Sequence, residues 1–68
     1  MNWASSRTYE YFIKKILERK WNHLTREYHY HIKWHGFHER HNSWEPRSNI
    51  MNNGDMVEAF DRQISREA

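Results

Sequence analysis

Apolar and polar positions alternate most cleanly between Glu27 and Phe37. Tyr28, Tyr30, Ile32 and Trp34 fall on one side, and His29, His31, Lys33 and His35 on the other. Period two of this kind predicts a half-buried strand with its apolar side inward, ended by Gly36. Upstream, Tyr9, Tyr11 and Ile13 alternate in the same way. Lys14-Lys15 then breaks the phase before Ile16 and Leu17 resume, which predicts a strand carrying a β-bulge or sharp bend. Between the two strands, Asn22 to Arg26 reads as a polar turn without a glycine. His38 to Ser43 reads as a loop. Trp44-Glu45-Pro46 reads as a short strand stopped by a proline that has no N–H for a ladder. Arg47 to Asn53 is expected to be extended. Met56, Val57, Phe60 and Ile64 recur at helical spacing, predicting a helix over about 54–65 with Asn53 as its cap and Asp55 in its first turn. Residues 1–8 show no periodicity and read as a flexible arm. The expected fold class is α+β, a small curled three-stranded antiparallel sheet packed against a C-terminal helix.

Composition narrows the classes. Leu, Ile, Val and Phe make up only 11 of 68 residues, but four Trp and four Tyr stand beside the three Phe. Each ring buries about 150–250 Å², so the aromatics must carry the core of one small, marginally stable domain. With no cysteine, disulfides and thiolate metal sites are excluded. No apolar run approaches membrane-spanning length, and MNWASSRTYEYF lacks the order of a signal peptide. The net charge of +2 permits a nucleic-acid partner but is modest for one.

Enzyme chemistry finds little support. The six histidines, 23, 29, 31, 35, 38 and 41, read as solvated surface residues; no metal or cofactor is expected. The serines have no His and acid partners at a recognisable spacing, and with two glycines there is no phosphate-cradling loop. The rings are more informative. Trp34 and Phe37 flank a strand end in W-H-G-F, and Tyr11 comes from the first strand. Three rings set at angles make a box that attracts a quaternary ammonium through cation–π interaction. The competing reading is that these rings are simply core.

The run from Tyr9 to Arg62, with E-Y-F-I-K-K-I-L, K-W-H-G-F and S-W-E-P-R-S-N-I at this separation, resembles a chromodomain. The resemblance implies an SH3-like partial barrel over 9–65. It implies a non-enzymatic reader module of the nucleus and chromatin, of the heterochromatin or Polycomb kind associated with gene silencing. Its ligand would be a di- or trimethylated lysine in a histone H3 tail, with the peptide inserted as an extra strand. Tyr11, Trp34 and Phe37 match the cage positions. Trp44 matches a core tryptophan, so it is expected to be packed. Glu45 and Asn49 match peptide-contacting positions. Glu10, Phe12 and Ile13 on one side, and the segment from Arg47 to Met51 on the other, match the walls of the peptide groove.

This chain departs from the family pattern in four places. His41 stands where an acidic residue is frequent at the cage rim, so the preference should lean to trimethyl-lysine. Phe12 replaces a small or polar residue. Met51 leaves an acidic clasp opposite Glu10 incomplete. Arg26 replaces the glycine common in the first hairpin turn, which bears on stability. The module is expected to be monomeric. The alternative function is nucleic-acid binding through a basic strip of Lys14, Lys15, Arg19, Lys20, Arg26 and Lys33.

Overall fold

The computed structural model describes residues 12–67. Glu10 and Tyr11, and the arm read at 1–8, lie outside the described residues. Three strands, β1 (Ile13–Asn22), β2 (Glu27–Trp34) and β3 (Ser43–Pro46), form one antiparallel sheet in the order β1-β2-β3. A short 3-10 turn, Glu39–His41, precedes β3. A longer 3-10 segment, Arg47–Asn53, runs from β3 into the helix α1 (Gly54–Glu67). The architecture is the one expected: a small sheet covered by a C-terminal helix.

The phase break in β1 is real and is doubled. Ile13 pairs with Trp34, Lys15 with Lys33, Ile16 with Ile32 and Glu18 with His31, with register shifts between Ile13 and Lys15 and between Ile16 and Glu18. Each shift inserts one extra residue into β1. Ile13, Ile16 and Arg19, spaced by three, therefore all face inward opposite the alternate residues of β2, a spacing a regular strand forbids. The core so assembled is Ile13, Ile16, Tyr30, Ile32, Ile50 and Val57, with Tyr28, Trp34, Met56 and Phe60 packed around it.

The first hairpin turn is closed by Asn22. Its side-chain oxygen accepts from the N–H groups of Leu24 and Thr25 at 2.9 and 3.0 Å, and its carbonyl accepts from Arg26 N–H at 2.8 Å. Arg26 itself sits at φ 58°, among the described residues the only non-glycine with positive φ. A turn that demands this conformation without a glycine carries strain, since an L side chain there crowds its own carbonyl.

Three sequence expectations are corrected. Arg47–Asn53 is 3-10 helix, not extended, interrupted at Ile50 by a kink (φ −121°, ψ 24°) that turns this side chain into the core. Asn53 ends that segment and does not cap α1, because the 3-10 run passes directly into the α-helix at Gly54. Trp44 is not core: it is 40% exposed. Its pairing with His31 puts it on the outward face of the sheet, where His31 also points.

A polar clasp ties the layers together. The Asp61 carboxylate, on the sheet-facing side of α1, accepts from Arg19 Nη1 at 3.1 Å, from the Tyr30 hydroxyl at 2.9 Å and from Arg47 Nη1 at 2.7 Å. Arg47 Nη1 also donates to the Tyr30 hydroxyl at 2.9 Å. One carboxylate thus joins β1, β2, the 3-10 segment and α1. Burial, followed by the hydrogen bond to Asp61, pushes the Tyr30 phenol above its ordinary value, against the opposing pull of Arg47.

Candidate functional site

The segment W-H-G-F makes a tight turn at the end of β2. Phe37 N–H donates to the Trp34 carbonyl at 3.2 Å, and Gly36 takes φ 85°. This is the i→i+3 bond and positive φ at the third position of a type II turn, where glycine is strongly preferred. A Cβ on Gly36 would meet nothing within 4 Å, so the demand for glycine is purely conformational. Lys33 folds back over the turn, and its Nζ donates to the Trp34 carbonyl at 2.9 Å and to the Phe37 carbonyl. An ammonium bridging both ends in this way fixes the spacing of the two aromatic residues. His35 N–H donates to the Phe12 carbonyl at 2.8 Å, anchoring the turn to the chain just before β1.

Trp34 is positioned from the other side by β3. Its indole N–H donates to Ser43 Oγ at 2.9 Å, and the Ser43 hydroxyl donates to Glu45 Oε2 at 2.8 Å. The Asn49 amide approaches Glu45 Oε1 at 3.4 Å. Trp34, Ser43, Glu45 and Asn49 thus form one continuous chain of polar contacts, joining a proposed cage ring to two proposed peptide-contacting residues. Nothing in the sequence pattern singled out Ser43. The signal that could have found it is register, since Ser43 pairs with Ile32 and so shares the inward face with Trp34.

Phe37 is 41% exposed, and its ring meets His41 edge-on at 5.8 Å and 67°. The turn Glu39–His41 therefore brings His41 against the Phe37 ring. Phe12 is 70% exposed and Met51 is exposed as well. Ile13 differs from its neighbours: its side chain is buried in the core, so any peptide contact it makes uses main chain. Tyr11 and Glu10 fall outside the described residues. Among the sequence-predicted site residues, the structure thus joins Trp34 to Phe37, Phe37 to His41, and Trp34 to Glu45 and Asn49.

Two members of the basic strip in the alternative reading are engaged within the domain. Arg19 turns inward to Asp61 and lies over the Tyr28 ring at 4.1 Å. Lys33 is held on backbone carbonyls. Arg26 is in the hairpin turn. Among the described residues, no three His, Asp or Glu side chains converge as a metal site would require, and no helix is long and apolar enough to cross a membrane.

Comparison with known proteins agrees with this geometry. Residues 11–63 match the model of the Chromo (chromatin organisation modifier) domain. The chain is also 39% identical over 59 residues to the chromo domain-containing protein cec-1 of Caenorhabditis elegans. That alignment covers 85% of this chain and 18% of the relative, so the chain spans under a fifth of the relative's length. The family is one of binding modules associated with chromatin. The bulged edge strand, the glycine turn presenting Trp34 and Phe37, the W-E-P strand behind them and the first ten residues of the closing helix fall within the matched span, and the chain belongs to the chromo domain family.

Proposed function

We propose that this domain reads methylated lysine, trimethyl-lysine above the lower states, in a histone H3 tail on chromatin in the nucleus. Trp34 and Phe37, with Tyr11, form the cage, and the peptide lies between the chain around Glu10–Ile13 and the segment Arg47–Met51. The observation that carries this reading is the built turn: Trp34 and Phe37 are set by Gly36, Lys33 and Ser43, with the Phe37 ring against His41. A trimethylammonium has no N–H to donate, so ring faces are its natural partners. Desolvated cation–π attraction is worth about 2 kcal/mol or more, roughly thirty-fold in affinity. Because Arg47–Met51 is 3-10 and not a strand, the groove on that side offers side chains, Asn49 and Met51 with Glu45 behind them, more than a regular ladder.

The test is calorimetric titration with Ala-Arg-Lys-Ser peptides carrying zero to three methyl groups. Trimethyl peptide should bind at least about ten-fold tighter than unmodified peptide. Phe37→Ala should erase that difference in a folded domain. It is the cleaner variant because Trp34 also packs against the core, so that Trp34→Ala should lower stability as well as binding. Equal affinity for methylated and unmethylated peptide would refute the reading.

A further inference from the structure

The resemblance makes Glu45 a peptide contact, yet its carboxylate is turned toward groups of the domain itself. Ser43 and Glu45 stand two residues apart in β3 and pair with Ile32 and Tyr30. Both therefore share the face of the sheet that carries the core, while Trp44 between them faces outward. Glu45 Oε2 accepts from the Ser43 hydroxyl at 2.8 Å, and Oε1 faces the Asn49 amide at 3.4 Å. Ser43 Oγ in turn accepts the Trp34 indole N–H at 2.9 Å. Chemistry fixes the direction of this chain. An indole N–H only donates and an ionised carboxylate only accepts, so the group between them has to do both. A hydroxyl meets that demand. Its proton is committed to Glu45, which polarises the oxygen and strengthens the bond it accepts from the indole. Trp34, Ser43 and Glu45 are half-buried and Asn49 is exposed, so the chain runs from an open end on the 3-10 segment to a ring of the proposed cage.

We propose that Ser43 and Glu45 are positioning residues that couple the peptide wall to the cage: contact at Asn49 sets Glu45, Glu45 sets Ser43, and Ser43 sets the tilt of the Trp34 indole. The inference rests on the methyl-lysine reading of the site and says how that site works. Cation–π attraction acts over the face of a ring, so the tilt of the indole governs how much a methylammonium gains from it. Each link in the chain is a single bond between side chains, and each side chain is held by the next. A peptide that engages Asn49 therefore steadies Trp34, and a methylated lysine against Trp34 steadies the wall in return, since coupling between two sites is reciprocal. The chain also states what position 43 requires. Threonine keeps both the donor and the acceptor. Alanine takes the acceptor from the indole and the donor from the carboxylate at once.

The experiment is calorimetric titration of the intact 68-residue chain and its variants with unmodified and trimethylated Ala-Arg-Lys-Ser peptides. Beside it, the Trp34 indole N–H resonance is followed in the isotope-labelled, ligand-free domain. Ser43→Ala should lower trimethyl affinity by about three- to ten-fold, lower the ratio of trimethyl to unmodified affinity, and move the resonance. Ser43→Thr, which keeps the hydroxyl, should restore all three. Asn49→Ala, at an exposed position outside the core, carries the test should Ser43→Ala fail to fold. It should lower the same ratio by about two-fold or more and move the resonance of the Trp34 ring through the intervening side chains. In the double variant the two losses should fall short of their product, as for residues in one network. A ratio kept in full by both Ser43→Ala and Asn49→Ala, a resonance that neither moves, a Ser43→Thr protein as impaired as Ser43→Ala, or losses that simply multiply would each overturn the coupling and leave the methyl-lysine reading intact. Equal affinity of the wild-type domain for the two peptides would overturn the reading and the coupling together.

Discussion

Replacing Asp61 by alanine removes the acceptor on which Arg19, Tyr30 and Arg47 converge. The fully buried Tyr30 side chain then keeps its bond from Arg47 but has nowhere to donate its own proton. An unsatisfied buried hydroxyl costs about 1–3 kcal/mol. The two ion pairs join side chains that are a fifth to a third exposed, so solvent screening holds them to about 0.5–1 kcal/mol each. Together the loss is about 2–5 kcal/mol, a large part of the stability of so small a domain, and corresponds to a fall of roughly 8–40 °C in Tm. Asp61→Asn, which keeps an acceptor for the phenol but no charge, should lose only about half as much. Urea denaturation followed by circular dichroism measures all three proteins. An Asp61→Ala domain within about 0.5 kcal/mol of wild type would show that the clasp contributes nothing and that α1 is held by its apolar residues, Met56, Val57 and Phe60.

Three other outcomes follow from the same geometry. Trp44→Ala should cost about 1–2 kcal/mol in thermal denaturation, not the 3–5 of a fully buried ring, because the indole is stacked on His31 at the surface. Arg26→Gly should raise the urea midpoint by the equivalent of about 0.5–1 kcal/mol, since glycine relieves the positive φ of 58° at some cost in unfolded-state entropy. His41→Glu should strengthen calorimetric binding of mono- and dimethyl-lysine peptides more than trimethyl, by about 0.5–1 kcal/mol, because the ring at this position touches Phe37 and a carboxylate there accepts the remaining N–H; unchanged methyl-state ratios would mean the loop turns away from the cage.

The sheet and helix were legible because their signals are periodic and long. Four alternations from Tyr28 to Trp34 fix the inward face of β2, and the broken phase at Lys14-Lys15 marks a bulge that the register confirms. The W-H-G-F turn was legible because Gly36 has one conformational use there. What failed were short or aperiodic segments. Seven residues from Arg47 to Asn53 carry no repeat, and their 3-10 form depends on Ile50 reaching the core and Arg47 reaching Asp61, contacts more than ten residues away. Trp44 was misassigned because a four-residue strand has no period of its own. Only its partner His31 on the polar side of β2 reveals which way the indole faces. Asp61 had a faint signal, standing four residues after Val57 on the apolar side of the helix. A charge at such a position needs partners, but the sequence does not say that two arginines and a tyrosine supply them.

The segment Arg47–Asn53 links stability to recognition. Arg47 at its start holds the clasp, and Asn49, two residues on, meets the Glu45 that ends the polar chain from Trp34. Loosening the clasp therefore frees one wall of the proposed groove. Alkali does this without a mutation. Burial and the bond to Asp61 raise the Tyr30 phenol above its usual 10.0, so the folded state holds that proton more tightly than the unfolded chain. The sign is then fixed: the contribution is fully present below about pH 10 and is lost as pH rises through the higher folded value. Tyr30→Phe should be less stable than wild type by about 1 kcal/mol at pH 8, the worth of the hydrogen bonds removed. As pH rises past 10 that gap should narrow, because only the wild type must place a phenolate beside the Asp61 carboxylate. Urea midpoints of the pair at pH 8 to 11 measure the gap directly, and one that stays constant across that range would show that the Tyr30 hydroxyl ionises as freely in the folded domain as in the unfolded chain.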